Sequence, residues 1–165
     1  MSRLNWRQKD CSETGQIKSG LEKEHMVTTL GILTFVVLFC VSVLHAYWAF
    51  GGRWPGEDDV SLARTVVGTN AMPSSSLTLV VAVLILFASL LPLVKVGLAP
   101  IALPAVLTQT GLALLAAVFG LRGLVTYTSI WRRRGAAEPF VTLDRRYFGP
   151  LCILLGAAFG GLLFF

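Results

Sequence analysis

Residues 65–94 read TVVGTNAMPSSSLTLVVAVLILFASLLPLV, thirty positions between Arg64 and Lys95 without a lysine, arginine, aspartate or glutamate. From Ser75 onward the run is almost wholly apolar, and it ends at the lysine. As a helix rising ~1.5 Å per residue it is long enough to cross a hydrocarbon core of ~30 Å. Three further stretches lack the same four residue types: 28 residues between Glu24 and Arg53, 26 between Lys95 and Arg122, and 19 from Tyr147 onward. Inside lipid only helices and closed barrels satisfy every backbone polar group, and runs of this length and composition are helical. The fold expected is therefore all-α, an integral membrane bundle of four transmembrane helices.

Composition agrees. The 165 residues are 55% hydrophobic and 14% charged, where a soluble domain carries about a quarter charged residues. Four spans leave no length for a second folded domain. The net charge of +5 comes from short loops and the N-terminal segment, which suits contact with anionic lipid headgroups. No basic and aromatic stripe points to nucleic acid.

Residues 1–25 mix charges of both signs with Ser, Gly, Gln and Asn, and are expected to form a polar, disordered tail. Residues 26–165 form the membrane domain, with spans expected at about 27–50, 75–98, 104–123 and 149–165. The first apolar run is longer than the core of a cleaved signal sequence and reads as a retained helix. It stops at Gly51-Gly52, with Pro55 and Gly56 beyond. Past Arg122, Leu124, Tyr127 and Trp131 keep helical spacing up to Arg132, Arg133 and Arg134, which reads as an amphipathic interfacial segment. Pro150 suits the first turn of the last helix, and Pro92 is expected to kink the second. Four spans put both long connections on one side, with eight of the Lys and Arg residues against six on the other. Basic residues near the spans favour the cytoplasm for that side.

Two segments carry the polar chemistry. In His45-Ala46-Tyr47-Trp48-Ala49-Phe50-Gly51-Gly52-Arg53-Trp54-Pro55, His45 lies about one and a half turns inside the helix end. It shares a face with Trp48. It can serve as an acid or base, a metal ligand or a proton sensor, or it can hydrogen-bond to backbone while Tyr47, Trp48 and Trp54 form an interfacial belt. The second segment joins Arg122 to Leu143-Asp144-Arg145-Arg146-Tyr147. An unpaired guanidinium at a span's end is costly, and Asp144 is the one acid near the last span. Arg122 and Asp144 are expected to pair, with His45 and Tyr147 near them; these four are the candidate catalytic residues. Otherwise Asp144 caps the last helix and the arginines bind phosphate headgroups.

Gly156 and Gly160, four apart, are expected to mediate helix packing, and Gln109 to bond across a helix interface. Cys40 and Cys152 read as small apolar packing residues; with Cys11 they make no metal or disulfide pattern. No metal site and no cofactor are expected. Acids are missing from the middle of every span, which disfavours a proton-coupled or other small oligomeric transporter. Phosphate loops, paired histidines and a nucleophile elbow are missing too.

The motif residues resemble those of a family of small bacterial integral-membrane proteins, domain of unknown function 3995. That pattern begins His-x-Tyr-Trp-Ala-x-Gly-Gly-x-Trp, met by His45, Tyr47, Trp48, Ala49, Gly51, Gly52 and Trp54. It continues with Leu121-Arg122 and closes on Leu143, Asp144, Arg146, Tyr147, Pro150, Leu151 and Cys152. Phe148-Gly149 stands where Tyr-Ser is usual, and Val125-Thr126 where many members have Gly-Asp. The resemblance implies a four-helix fold in a bacterial cytoplasmic membrane and brings no established activity. The expected role is a non-enzymatic membrane interaction or accessory protein, in contact with lipids and with a partner membrane protein or a second copy. The alternative is a small enzyme on a lipid-like or quinone-like substrate, using His45, Arg122 and Asp144.

Overall fold

The computed structural model describes residues 3–128 and 138–164, with side chains from Gln16 onward. Its helices are α1 (Arg3–Ala49), α2 (Asp59–Val66), α3 (Ser75–Lys95), α4 (Ala105–Val125), α5 (Phe140–Leu143) and α6 (Gly149–Phe164). One wide π-helical turn, Asp144–Phe148, joins α5 to α6. Among the described residues four continuous runs are long and apolar enough to cross a membrane: Gln16–Ala49, Ser75–Lys95, Ala105–Val125 and Phe140–Phe164. No more than 28% of the most apolar window of any run is buried inside the protein. Large apolar side chains such as Leu84, Phe87, Leu114 and Leu154 point outward instead. A water-soluble bundle shows the reverse, so lipid is the solvent of this surface. The protein is a multi-pass membrane protein.

α1 packs along α3, and α4 along α6. The two pairs meet in a core of Leu38, Leu112, Leu155, Phe159 and Leu162, where the Phe119 and Phe159 rings stack with centroids 5.8 Å apart. Hydroxyls within the spans bond to carbonyls one turn back, as Thr34 does to Leu30 and Ser89 to Leu86. Ser42 instead donates across to the Ala82 carbonyl of α3 at 2.8 Å. In hydrocarbon such groups find no water, so each needs a partner in protein.

Two helix boundaries and one side chain differ from expectation. α1 is helical back to Arg3 through the polar segment expected to be a disordered tail. Polarity reports solvation, not conformation: no proline interrupts that segment, and its described side chains up to His25 are exposed. The last span begins at Phe140 rather than near Gly149, because the helix runs on through Asp144, Arg145 and Arg146. Its 25 residues reach about 37 Å at ~1.5 Å per residue. Gln109, expected at a helix interface, is exposed one turn into α4, while its neighbour Thr108 is buried. The expected amphipathic stretch at Trp131 to Arg134 lies outside the described residues.

At one end of the bundle α2 packs on α5, and Leu62, Ala63 and Phe140 are buried. Asp58 fixes the start of α2: its carboxylate accepts from the Ser61 N–H at 2.6 Å, and the Ser61 hydroxyl oxygen accepts from the Asp58 N–H at 3.0 Å. These reciprocal bonds satisfy donors that the first turn leaves open. The backbone bond from Ser61, then its side-chain bond, holds the Asp58 carboxyl below its ordinary value. A depressed folded-state pKa means the cap's contribution is full above the ordinary aspartate range. It is lost as pH falls through the lowered value. Protection of the Ser61 and Leu62 amides from hydrogen exchange is therefore expected to fall on acidification below about pH 4. In Asp58→Asn that pH dependence should flatten.

Candidate functional site

The first motif builds the end of α1. Gly51 has φ +88°, a conformation that costs ~1–2 kcal/mol for residues with a Cβ. Its N–H donates to the Trp48 carbonyl at 3.0 Å, and the Gly52 N–H to the Tyr47 carbonyl at 2.9 Å. This is the Schellman pattern of a helix stopped by glycine. Gly52 lies close under the Tyr47 ring, which would have to move to admit a Cβ there. The Trp48 indole N–H donates to the Trp54 carbonyl at 2.8 Å, folding the chain back over the helix end.

Beside the end of α1 lies a largely apolar cleft of about 170 Å³, lined by His45 and Trp48 of α1, by Val66, Val67, Met72 and Pro73, and by Leu77, Thr78 and Val81 of α3. A second cleft of about 400 Å³ shares Trp48, Met72, Pro73 and Thr78 with it and adds Asp59 and Asn70. The His45 and Trp48 rings lie 5.1 Å apart, tilted by 58°. His45 Nδ1 is 2.8 Å from the Val41 carbonyl. A carbonyl only accepts, so Nδ1 carries the hydrogen and donates it. In the neutral ring, Nε2 is then an acceptor.

The second cluster sits on the other helix pair. Arg122 Nη2 donates to Asp144 Oδ1 at 2.7 Å, and Nη1 to the Thr126 hydroxyl oxygen at 2.6 Å. The Asp144 side chain is fully buried, whereas that of Arg122 keeps 34% of its exposure. Asp144 Oδ2 has no partner among the described residues. The π turn explains how a sequence of consecutive charges serves one pair. One extra residue per turn lets Asp144 face inward while Arg145, Arg146 and Tyr147 stay exposed. Tyr127 locks the turn from outside, its hydroxyl donating to the Arg145 carbonyl at 3.0 Å.

The family described as protein of unknown function (DUF3995) matches residues 38–159. The chain belongs to that family. Comparison with curated proteins and with solved structures finds no match. The DUF3995 region takes in both clusters and all four spans in whole or part.

Of the candidate residues in this DUF3995 domain, the structure brings Arg122 and Asp144 into contact. His45 makes its own contacts on α1 and at the cleft beside α3. Tyr147 is exposed, with the Arg146 guanidinium 5.6 Å over its ring. Cys152 is half-buried on α6 and Cys40 is exposed on α1; both are free thiols. Among the described residues no group of three or more His, Cys, Asp or Glu side chains could hold a metal.

Gly156 meets α4 directly, a Cβ there lying 2.7 Å from the Gly120 nitrogen, but Gly160 has open space around it. The other contacts of that seam are Gly123, against Ile153 and the Gly149 carbonyl, and Gly149, against Thr126. These and Thr126 were missed by sequence reasoning. Their signal was there: Gly149 and Gly156 are seven apart on one face, and Gly120 and Gly123 three apart on another.

Proposed function

We propose that this protein is a non-enzymatic accessory or interaction component of a bacterial cytoplasmic membrane, and that the surface where α2 packs on α5 faces a partner protein. One observation carries the reading: the polar groups of both motifs are engaged with one another as architecture. Arg122 holds Asp144 and Thr126, Trp48 holds Trp54, and Asp58 holds Ser61. α2 packs on α5 at the same end of the bundle, with Leu62, Ala63 and Phe140 buried, and such a packed surface is of the kind a partner can read. Arg145 and Arg146, exposed at the same end, suit lipid phosphates.

The enzyme reading needs His45, Arg122 and Asp144 around one reacting atom. The positions favour it less, since His45 belongs to the α1–α3 pair and the ion pair to α4 and the π turn that leads into α6. A photoreactive amino acid at Val60, 45% exposed on α2, tests the proposal in native membranes. A discrete protein adduct is expected there, and lipid adducts from Phe87, 64% exposed in α3. Lipid adducts alone at both positions would overturn the reading.

A further inference from the structure

We propose that the cleft beneath the 50–74 connection is a binding site for a neutral amphiphile whose ring carries a hydroxyl, with that hydroxyl donating to His45 Nε2. The inference goes beyond the accessory role and does not depend on it. Size comes first. The inner cleft measures about 170 Å³, and an apolar cavity of ~150 Å³ accepts a benzene ring. Its walls are Val66, Val67, Leu77 and Val81, with the Trp48 and His45 rings at one side as flat partners for stacking.

Polarity comes next. Nδ1 is committed to the Val41 carbonyl, so the ring nitrogen left for a ligand is Nε2, and in the neutral tautomer it accepts. A hydroxyl fits that nitrogen; an ether or ester oxygen does not. The adjoining cleft offers Asp59 and Asn70 to a second polar substituent.

Charge excludes the commonest membrane headgroups. Glu57, Asp58 and Asp59 stand at this connection against Arg53 and Arg64. The Arg53 Nε–H donates to the Asp59 carboxylate at 2.9 Å, and the Arg64 Nε–H to the Asn70 side-chain amide oxygen at 2.9 Å. A phosphate entering from the adjoining cleft would meet the Asp59 carboxylate, and neither arginine lines either cleft to receive it. His45, Leu77 and Val81 belong to membrane-spanning runs, so an amphiphile held in the bilayer lies close to this cleft, and an alkyl chain on the ring suits that location.

The test uses three probes on the full-length protein in a maltoside detergent: 4-hexylphenol, its methyl ether 4-hexylanisole, and hexyl phosphate. Binding is read as the ligand-dependent rise in unfolding temperature, which reports affinity for the folded state. The phenol is expected to bind about fivefold to tenfold more tightly than the ether, the worth of one hydrogen bond, with hexyl phosphate weakest. His45→Phe keeps a ring against Trp48 and removes the nitrogen, so it should erase the preference of phenol over ether. Partition into micelles is common to both proteins and cancels. Val67→Phe, which fills the cleft, should abolish the response to both, and it decides the matter if His45→Phe does not fold. Equal responses to the three probes in the wild type would overturn the proposal. So would a phenol preference that survives His45→Phe, or an undiminished phenol response in Val67→Phe.

Discussion

Arg122→Met is expected to destabilise the bundle by about 3–5 kcal/mol, the loss typical of a buried ion pair broken from one side. Asp144→Asn should cost less, about 1.5–3 kcal/mol, the worth of hydrogen bonds to a charged group. The asymmetry follows from burial. Removing the arginine strands a carboxylate with no exposure at all, while removing the carboxylate leaves a guanidinium that is 34% exposed and can extend to water or a headgroup. Arg122 also loses its bond to Thr126, which adds to the first effect. The double variant Arg122→Met with Asp144→Asn should be more stable than Arg122→Met alone, because the stranded charge has gone. Unfolding midpoints of the four proteins in one detergent close this cycle. Strictly additive losses would show that the two charges do not support each other. A milder effect for Arg122→Met than for Asp144→Asn would contradict the burial argument.

The same pair shows how far the sequence could be read. An arginine at the end of one apolar run and a lone aspartate before the next imply each other, since neither is tolerated alone at a membrane boundary. The spans were legible for a related reason: lipid imposes one requirement, freedom from charge over about twenty positions. Inside α3 and α4 that requirement is decisive, and the helices fall at Ser75–Lys95 and Ala105–Val125. It fails where charge and helix coexist. The π turn carries Asp144, Arg145 and Arg146 inside a continuous helix by pointing one inward and two outward, which hydropathy alone cannot distinguish from a loop.

His45 illustrates the remaining limit. Its depth in α1 follows from counting back from Gly51, but its neighbours come from the 50–74 connection folding over the helix end. That fold depends on contacts such as the Trp48 indole on the Trp54 carbonyl and Gly56 against the backbone of Leu62. Neither contact leaves a periodic signature. A shared side of the membrane put His45 and Asp144 in one neighbourhood, yet the helix pairing places them on different pairs.

Helix pairing supplies the second large effect. Gly156→Ala is expected to destabilise the protein by about 1–3 kcal/mol or more, while Gly160→Ala should be neutral or stabilising by up to ~1 kcal/mol. The spacing Gly-x-x-x-Gly gives both residues the same standing; their surroundings do not. A Cβ at 156 would lie 2.7 Å from the nitrogen and 2.9 Å from the Cα of Gly120, and backbone cannot turn aside as a side chain can. A Cβ at 160 would meet nothing within 4 Å, so alanine there brings only its higher helix propensity. Gly123→Ala should resemble Gly156→Ala, since its Cβ would crowd the Ile153 nitrogen at 2.8 Å. The consequence reaches the ion pair, because the close seam of Gly120 and Gly123 against Gly149 and Gly156 lets α6 approach α4 near Thr126 and Asp144. Forcing the helices apart at 123 is therefore expected to weaken the coupling between Arg122 and Asp144 as well as the fold. The cycle described above, repeated in Gly123→Ala and in Gly160→Ala backgrounds, measures that directly. Equal coupling in both backgrounds would separate the glycine seam from the charge pair and make them independent features of the bundle.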